Sequence, residues 1–325
     1  MSYPIPNTLN LPANAQAGGL ATSIEDVRRL REMADDLGLP FRAIGAGSNI
    51  VPEYEVAEFV AVMKNRGVKT NVKQGVPHVD VAAGENWHDL VTYCASKGLH
   101  GLENLALIPG TVGAAPIQNI GAYGVEISDF IESVTVCDEH GLKQILSQSD
   151  CGFSYRESTF KTQPELVVVS VQLALSREFN PRLDYPDVLA EFDRSVGDAN
   201  ALVTAITSIR QRKLPDPAIV PNVGSFFKNP VVTVSIASRL REKFKNLVAY
   251  EVQGGIKLSA AQLIDHAGWK DRPTDKVGCW QQQPLVLVNL GGATTEDVIA
   301  YATAIQQEVL ALYGVQLELE PSLLS

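Results

Sequence analysis

No apolar run in this 325-residue chain approaches the roughly 20 residues needed to cross a bilayer, so no membrane-spanning helix is expected. The first residues, MSYPIPNTLNLPANAQ, lack a basic stretch followed by an apolar one, so a secretory signal is not expected either. Cysteine is scarce. Cys94, Cys137, Cys151 and Cys279 are scattered, with no Cys-x-x-Cys pair. In a chain of this length that argues against a disulfide framework and a structural zinc site, and for reduced thiols in a cytoplasm. The segment CDEHG (137–141) gathers possible metal ligands, but it sits between two strand-like runs and reads as a polar hairpin turn. No metal is expected. Positive charge is in deficit: 27 Lys and Arg against 37 Asp and Glu leave a net charge of −10. That disfavours a nucleic-acid or anionic-membrane partner and leaves room for a local basic pocket. Two motifs are incomplete. GAGSNI (45–50) has Ile50 where the third glycine of G-x-G-x-x-G would stand, which disfavours a Rossmann dinucleotide site. Ser225 in GSFFKNP lacks the G-x-S-x-G elbow, and no histidine lies near it in sequence, although a partner could come from elsewhere.

What is present is an ordinary globular composition, 45% hydrophobic and 20% charged, in a chain long enough for two or three domains. SIEDVRRLREMADDLG (23–38) predicts a helix: Ser23 and Asp26 form a capping pattern, Ile24, Val27, Leu30, Ala34 and Leu37 make a stripe, and Gly38 suits the end. FVAVM (59–63), HVDVAAG (78–84) and LVVVSVQLAL (166–175) read as strands, and IESVTVCDEHGLKQIL as a hairpin. Further helices are expected at 85–98, at 200–217, near 233–245, near 258–267 and at 294–314, with a strand at 284–289 and a last strand in VQLELEP. Helices alternate with strands but hairpins intrude, so the class is α+β (mixed α/β) rather than a doubly wound sheet. Four prolines between Pro215 and Pro230 mark a domain crossing. The division expected is 1–65, 66–214 together with a C-terminal strand 316–325, and 215–315.

Two glycine-rich stretches invite a ligand. Gly45, Ala46, Gly47, Ser48 and Asn49 follow a strand, where backbone N–H groups can turn toward an anion without Cβ interference. PGTVGAAPIQNIGAYG (109–124) makes the same offer at greater length, with Gln118 and Asn119 adding amide donors and acceptors. A bare structural turn or crossover is the competing reading of each. By themselves, Ser225 is a turn residue and Arg156 and Glu320 are surface residues.

Taken in order, GAGSN, AGENWHDLV (83–91), GLENLALIPGTVGAAPIQNIGAYGVE (101–126), FSYRES (153–158), KLPDP (213–217), GSFFKNP (224–230), LID (263–265) and LEP (319–321) resemble the UDP-N-acetylenolpyruvoylglucosamine reductase family over nearly the whole chain. LDYPDV (183–188) is similar to the longer type, with a tyrosine loop over the substrate. The resemblance implies a two-domain FAD-binding module of the vanillyl-alcohol-oxidase type, plus a third α+β domain that binds substrate. It implies non-covalent FAD and NADPH as hydride donor, with flavin N5 passing hydride to the vinyl carbon of UDP-N-acetylglucosamine enolpyruvate. Ser225 then matches the proton donor, and Arg156 and Glu320 match the residues that stabilise the enolate intermediate, a protonated Glu320 donating to its oxygens. Lys213 or a neighbour is expected to steady the serine alkoxide.

By the same resemblance FAD would lie on Gly45, Ala46, Gly47, Ser48 and Asn49; on Pro109, Gly110, Thr111, Gly113, Ala114, Gln118, Asn119, Gly121, Ala122, Tyr123 and Gly124; and on Arg210. The sugar nucleotide would meet Tyr185, Lys213, Asn229, Tyr250, Lys257 and Gln283, with the lysines on its diphosphate. The chain departs from the family at Ala46, Pro221, Val223, Gln262, Trp280 and Gln281. A cytoplasmic monomer with a small-molecule substrate, no nucleic acid and no membrane insertion is expected. A flavin oxidase of the same broad fold would not need GSFFKNP with Arg156 and Glu320. A catalytically dead binding protein would have lost one of Ser225, Arg156 and Glu320.

Overall fold

The computed structural model describes residues 2–193, 195 and 197–325, which fall into two compact units. The first comprises Met1–Ile5, Asn14–Gly47 and Glu55–Gln211, and the second Pro6–Ala13, Ser48–Tyr54 and Arg212–Ser325.

The first unit holds two sheets. One is ordered Tyr3–Pro4, Asn14–Ala21, Glu55–Met63, Phe41–Ile44, with both neighbours of Glu55–Met63 parallel to it. Six of the nine residues in EVAEFVAVM form one unbroken buried run, as a parallel strand covered on both faces requires. Helix Ile24–Asp36 makes the crossover. Its cap is as predicted: Ser23 Oγ accepts from Asp26 N at 3.1 Å, and Val27, Leu30 and Ala34 are buried. The other sheet is antiparallel throughout, ordered Lys143–Ser147, Ile131–Cys137, Val167–Ala174, Val76–Ala82, Val68–Lys73. CDEHG is the polar turn of its hairpin: the Asp138 carboxylate accepts from His140 N, Leu142 N and Gln144 Nε2. Helices Trp87–Ser96 and Ala199–Lys213 bury Trp87, Leu90, Leu202, Ile206 and Ile209 in a core common to both sheets.

The second unit has two three-stranded antiparallel sheets: Asn222–Ser225, Gln283–Asn289, Val277–Trp280, and Val231–Val232, Gly255–Leu258, Ala249–Val252. Helices Val234–Lys243, Ala260–His266 and Thr295–Tyr313 pack with them. The last is bounded by a Thr294–Asp297 capping box and by Gly314 at φ 68°. Among the described residues no helix is long and apolar enough to cross a membrane, and no three His, Cys, Asp or Glu gather to hold a metal.

Three expectations differ from what is found. The helix expected over 200–217 ends at Lys213, because the residue before Pro215 is pushed toward extended geometry. VQLELEP is not a ladder strand. Val315 and Leu317 alternate inward as predicted, but only Leu319 bridges, to Phe227, and the strand lies further on at Ser322–Leu324. Alternation reports burial, not a hydrogen-bonding partner. The chain-order division also differs. Leu9, Leu11 and Val51 lie in the second unit's core, and Ser322–Leu324 pairs in parallel with Ile50–Pro52, so residues 316–325 group with the second unit rather than with 66–214.

Candidate functional site

In the first unit, Gly45–Gly47 turn directly after strand Phe41–Ile44 and meet the start of the 109–124 stretch. A Cβ on Gly45 would lie 2.3 Å from Thr111 Oγ1 and 3.5 Å from the Ala114 methyl, so only glycine permits this approach. Thr111 Oγ1 is buried and has no protein partner. A buried hydroxyl without a partner costs free energy unless a ligand or water satisfies it. Ser48 and Asn49 belong to the second unit.

The rest of the stretch divides into partly exposed and packed positions. Pro109 is exposed, and Gly110, Ala114 and Gln118 are half-buried. Gly113 is a packing glycine: its N–H donates to the Ala83 carbonyl at 2.8 Å, and an added Cβ would strike the Ala83 methyl. Asn119 is fully buried at φ 44°, its Nδ2 donates to Glu126 Oε2 and the Ser154 carbonyl, and its Oδ1 accepts from Ser128 N. Its side chain braces neighbouring loops. Gly121–Ala122 pair with Val125–Glu126 across a two-residue turn of Tyr123 (φ 49°) and Gly124 (φ 80°).

Arg156 is fastened to this loop. Its Nη2 donates to the Gly121 carbonyl at 2.7 Å and its Nη1 to the Asn119 carbonyl at 3.3 Å, with Glu126 Oε1 at 3.8 Å. Its backbone is also left-handed (φ 57°), and Lys161 Nζ donates to its carbonyl at 2.6 Å. Non-glycine residues at positive φ are uncommon, and Asn119, Tyr123 and Arg156 together form a cluster of them. Arg210, on helix Ala199–Lys213, has a buried Nε with no partner. Burial pushes its guanidinium below the usual arginine value; Tyr123 opposes that shift and the nearby Arg156 charge adds to it. Two neighbouring guanidinium groups, one short of a partner, suit an anion or an electron-rich ring edge.

In the second unit, Ser225 ends strand Asn222–Ser225 after Gly224 at φ 72°, and Gly224 N donates to Asn222 Oδ1 at 2.8 Å. Phe226 and Phe227 follow, both fully buried and ring-to-ring at 5.6 Å, which pins the serine at the edge of the core. Glu320 is brought alongside by backbone pairing. Glu320 N donates to the Phe226 carbonyl at 3.0 Å, Phe227 bridges Leu319, and Lys228 N donates to the Glu318 carbonyl at 2.9 Å. Asn49 joins from the other side: its carbonyl accepts from Ser322 N, and its Nδ2 lies 3.4 Å from the Glu320 carbonyl. Backbone pairing thus brings the 318–320 segment alongside the residues that follow Ser225, although the two stretches lie nearly a hundred positions apart.

Of the expected substrate residues, Tyr250 and Lys257 are direct cross-strand partners, and Tyr250 is half exposed. Asn229 Oδ1 accepts from Ala260 N at 2.9 Å. Gln283 is half-buried at a strand start opposite Trp280. Lys213 is half-buried at the last residue of its helix. Tyr185, in the first unit, stands edge-on to Tyr123 with ring centres 5.7 Å apart. Among the departures, Val223 is a core residue and Gln281 donates to the Lys270 carbonyl at 2.7 Å. The sequence gives no signal for the braces Glu126 and Lys161, because their partners are distant in sequence or are backbone atoms.

Orphaned Thr111 Oγ1 and Arg210 Nε, with the close glycine approach at Gly45, fit a large anionic cofactor such as FAD on the first unit. A family model described as an FAD binding domain matches residues 16–146, and one described as the C-terminal domain of UDP-N-acetylenolpyruvoylglucosamine reductase matches residues 216–324. The chain is 45% identical over 326 residues to the UDP-N-acetylenolpyruvoylglucosamine reductase of Bordetella pertussis, covering 97% of this chain and 92% of that one. It is 43% identical over 325 residues to that of Pseudomonas aeruginosa, covering 98% and 96%. A crystal structure of the Thermus caldophilus reductase shares the fold, with a TM-score of 0.71 at 24% identity and coverage of 100% and 99%. The mixed α/β class and the flavoprotein assignment both hold, and the chain belongs to the UDP-N-acetylenolpyruvoylglucosamine reductase family.

Proposed function

We propose that this protein uses NADPH to reduce UDP-N-acetylglucosamine enolpyruvate to UDP-N-acetylmuramate, a step in making peptidoglycan precursors. FAD, held by Thr111, Arg210, Gly45 and the 109–124 backbone, would supply the two-electron hydride chemistry between NADPH and the substrate's vinyl group. The chain's residues do the rest. Ser225 delivers the proton to the adjacent carbon. Arg156 and Glu320 stabilise the negative charge that builds on the substrate carboxylate as hydride arrives. A serine hydroxyl is a weak acid, so a cation is needed to steady its alkoxide, and Lys213 is our candidate. Tyr185, Asn229, Tyr250, Lys257 and Gln283 hold the sugar nucleotide. Thr111, Arg210, Gly45 and the 109–124 backbone hold FAD, so the first unit is the flavin module and the second carries the substrate-binding domain.

The observation that supports this reading most is the backbone pairing of Glu320 with Phe226, the neighbour of Ser225 in the chain. A flavin-binding protein without this reaction has no need of that arrangement. The nucleotide-activated sugar places the enzyme in the cytoplasm, and a single chain supplies every residue invoked, so a monomer suffices.

The test is a substrate-dependent NADPH oxidation assay on the purified yellow protein, with Ser225→Ala beside it. We expect oxidation to require the enolpyruvyl substrate. In Ser225→Ala, flavin reduction by NADPH should survive while reoxidation by substrate falls by about 10²–10⁴. Equal oxidation without substrate would identify an oxidase, and an equal fall in both half-reactions would remove Ser225 as the proton donor.

A further inference from the structure

Asn104 lies in the short helical turn Glu103–Leu105 and is only 3% exposed. Its single amide nitrogen donates to two carbonyls, that of Tyr123 at 3.0 Å and that of Arg182 at 2.9 Å. An amide nitrogen carries two hydrogens, so this pair uses both. The two acceptors belong to segments with different tasks. Tyr123 is the turn residue of the glycine-rich flavin loop, held at φ 49°. Arg182 stands three residues before Tyr185 on the loop assigned to the substrate. That loop is seated at the same place: Leu183 and Val188 are buried, and the Tyr185 ring lies edge-on to Tyr123. Tyr185 also faces Gly124, where an added Cβ would sit 3.4 Å from its ring.

We propose that Asn104 is the positioning residue for Tyr185: one buried carboxamide staples the base of the substrate loop to the flavin turn and so fixes where the tyrosine ring meets the sugar nucleotide. The inference rests on the reading of Tyr185 as a substrate-binding residue. Without the staple, the Tyr123 and Arg182 carbonyls lose their donor and the loop must be ordered when substrate arrives. That cost falls on substrate binding, not on flavin reduction, since the residue touches neither reactant.

The experiment uses the purified holoenzyme with Asn104→Leu, nearly isosteric and without donors, and Asn104→Ser should the leucine variant fail to accumulate as a folded flavoprotein. We expect KM for the enolpyruvyl sugar nucleotide to rise about tenfold, with kcat within about threefold. Flavin content and the limiting rate of flavin reduction by NADPH should be retained. Hydrogen exchange at residues 182–185 should quicken. Tyr185→Ala should raise KM as well, and the double variant should be no worse than Tyr185→Ala alone, because the staple acts through the ring. KM effects that simply multiply, or FAD loss in step with the KM change, overturn the proposal. If Tyr185→Ala leaves KM unchanged, the reading of Tyr185 falls. Exchange at 182–185 then judges the staple by itself: faster exchange in the Asn104 variants sustains it, and unchanged exchange overturns it.

Discussion

Residues 109–124 and residues 224–228 are both glycine-bearing loops, yet they are built in opposite ways. The first is a long surface of backbone. It packs so closely on the 45–47 turn that only Gly45 fits against Thr111, and the carbonyls of left-handed Asn119 and Tyr123 hold Arg156 and Asn104. The second is short and presents one side chain. Two buried phenylalanines fix the strand, and Glu320 N donates to the carbonyl of Phe226, the residue after Ser225. A planar cofactor with a pyrophosphate is met by many weak backbone contacts, whereas a proton transfer needs one group held to within a fraction of an ångström. The composition of each loop follows from that difference.

The comparison breaks first at Arg156, the charged residue that depends on the backbone loop. Arg156→Lys keeps the charge but cannot span the Asn119 and Gly121 carbonyls while facing substrate. Turnover should fall by about 10²–10³ with flavin content intact. A loss below about tenfold would mean that charge alone suffices and the loop's grip on the guanidinium is incidental.

A smaller effect separates the two loops by their glycines. Gly45→Ala drives a methyl into Thr111 Oγ1, and overpacking of that size should weaken FAD retention about tenfold, read by ultrafiltration. Gly224→Ala meets nothing within 4 Å and bears only the strain of φ 72°, about 1 kcal/mol, so it should lower the unfolding midpoint slightly and leave flavin retention unchanged. Equal flavin loss in both would show that the Gly45 approach does not shape the cofactor site.

The smallest effect concerns alkaline pH. Burial pushes the Cys94 thiol up to about 12 and those of Cys151 and Cys279 to about 11, from an ordinary value of 9.0. These groups stay neutral in the folded protein and ionise earlier in the unfolded chain. Their contribution is therefore complete below about pH 9 and is lost as pH rises toward about 11–12. The urea midpoint should be flat between about pH 6 and 8 and fall above about pH 9. Three of the four buried cysteines lie in the first unit, so its probes should report the fall most strongly. A midpoint that holds to about pH 11 would contradict the burial.

Much of this was legible in residues near one another. Helix Ile24–Asp36 follows from its cap and stripe, the hairpin from CDEHG, and the helix at Thr295–Tyr313 from its capping box and closing glycine. The flavin loop declared itself by what it lacked, since a run of Gly, Ala and Pro favours neither helix nor strand. Other features depend on partners far away in sequence. Asn119 has the composition of a ligand donor but is turned inward by Glu126, Ser128 and Ser154. Asn104 carries no local mark, because its importance lies in two carbonyls 19 and 78 residues away. The grouping of Leu9, Val51 and the C-terminal strand with the second unit was hidden for the same reason.

The sequence by itself determined the class of fold, the family and the flavin cofactor. Local periodicity, capping and an ordered set of motifs act at short range, and each is complete within a few residues. Tertiary structure alone decided which side chains stand together and which are spent as scaffolding. Glu320 reaches the backbone beside Ser225 only through pairing of segments nearly a hundred residues apart, the Asn119 side chain is turned inward to brace its neighbours, and Asn104 ties the 123 turn to residue 182. The physical reason is that a buried hydrogen bond depends on how close its partners lie in space, and a linear sequence does not carry that distance.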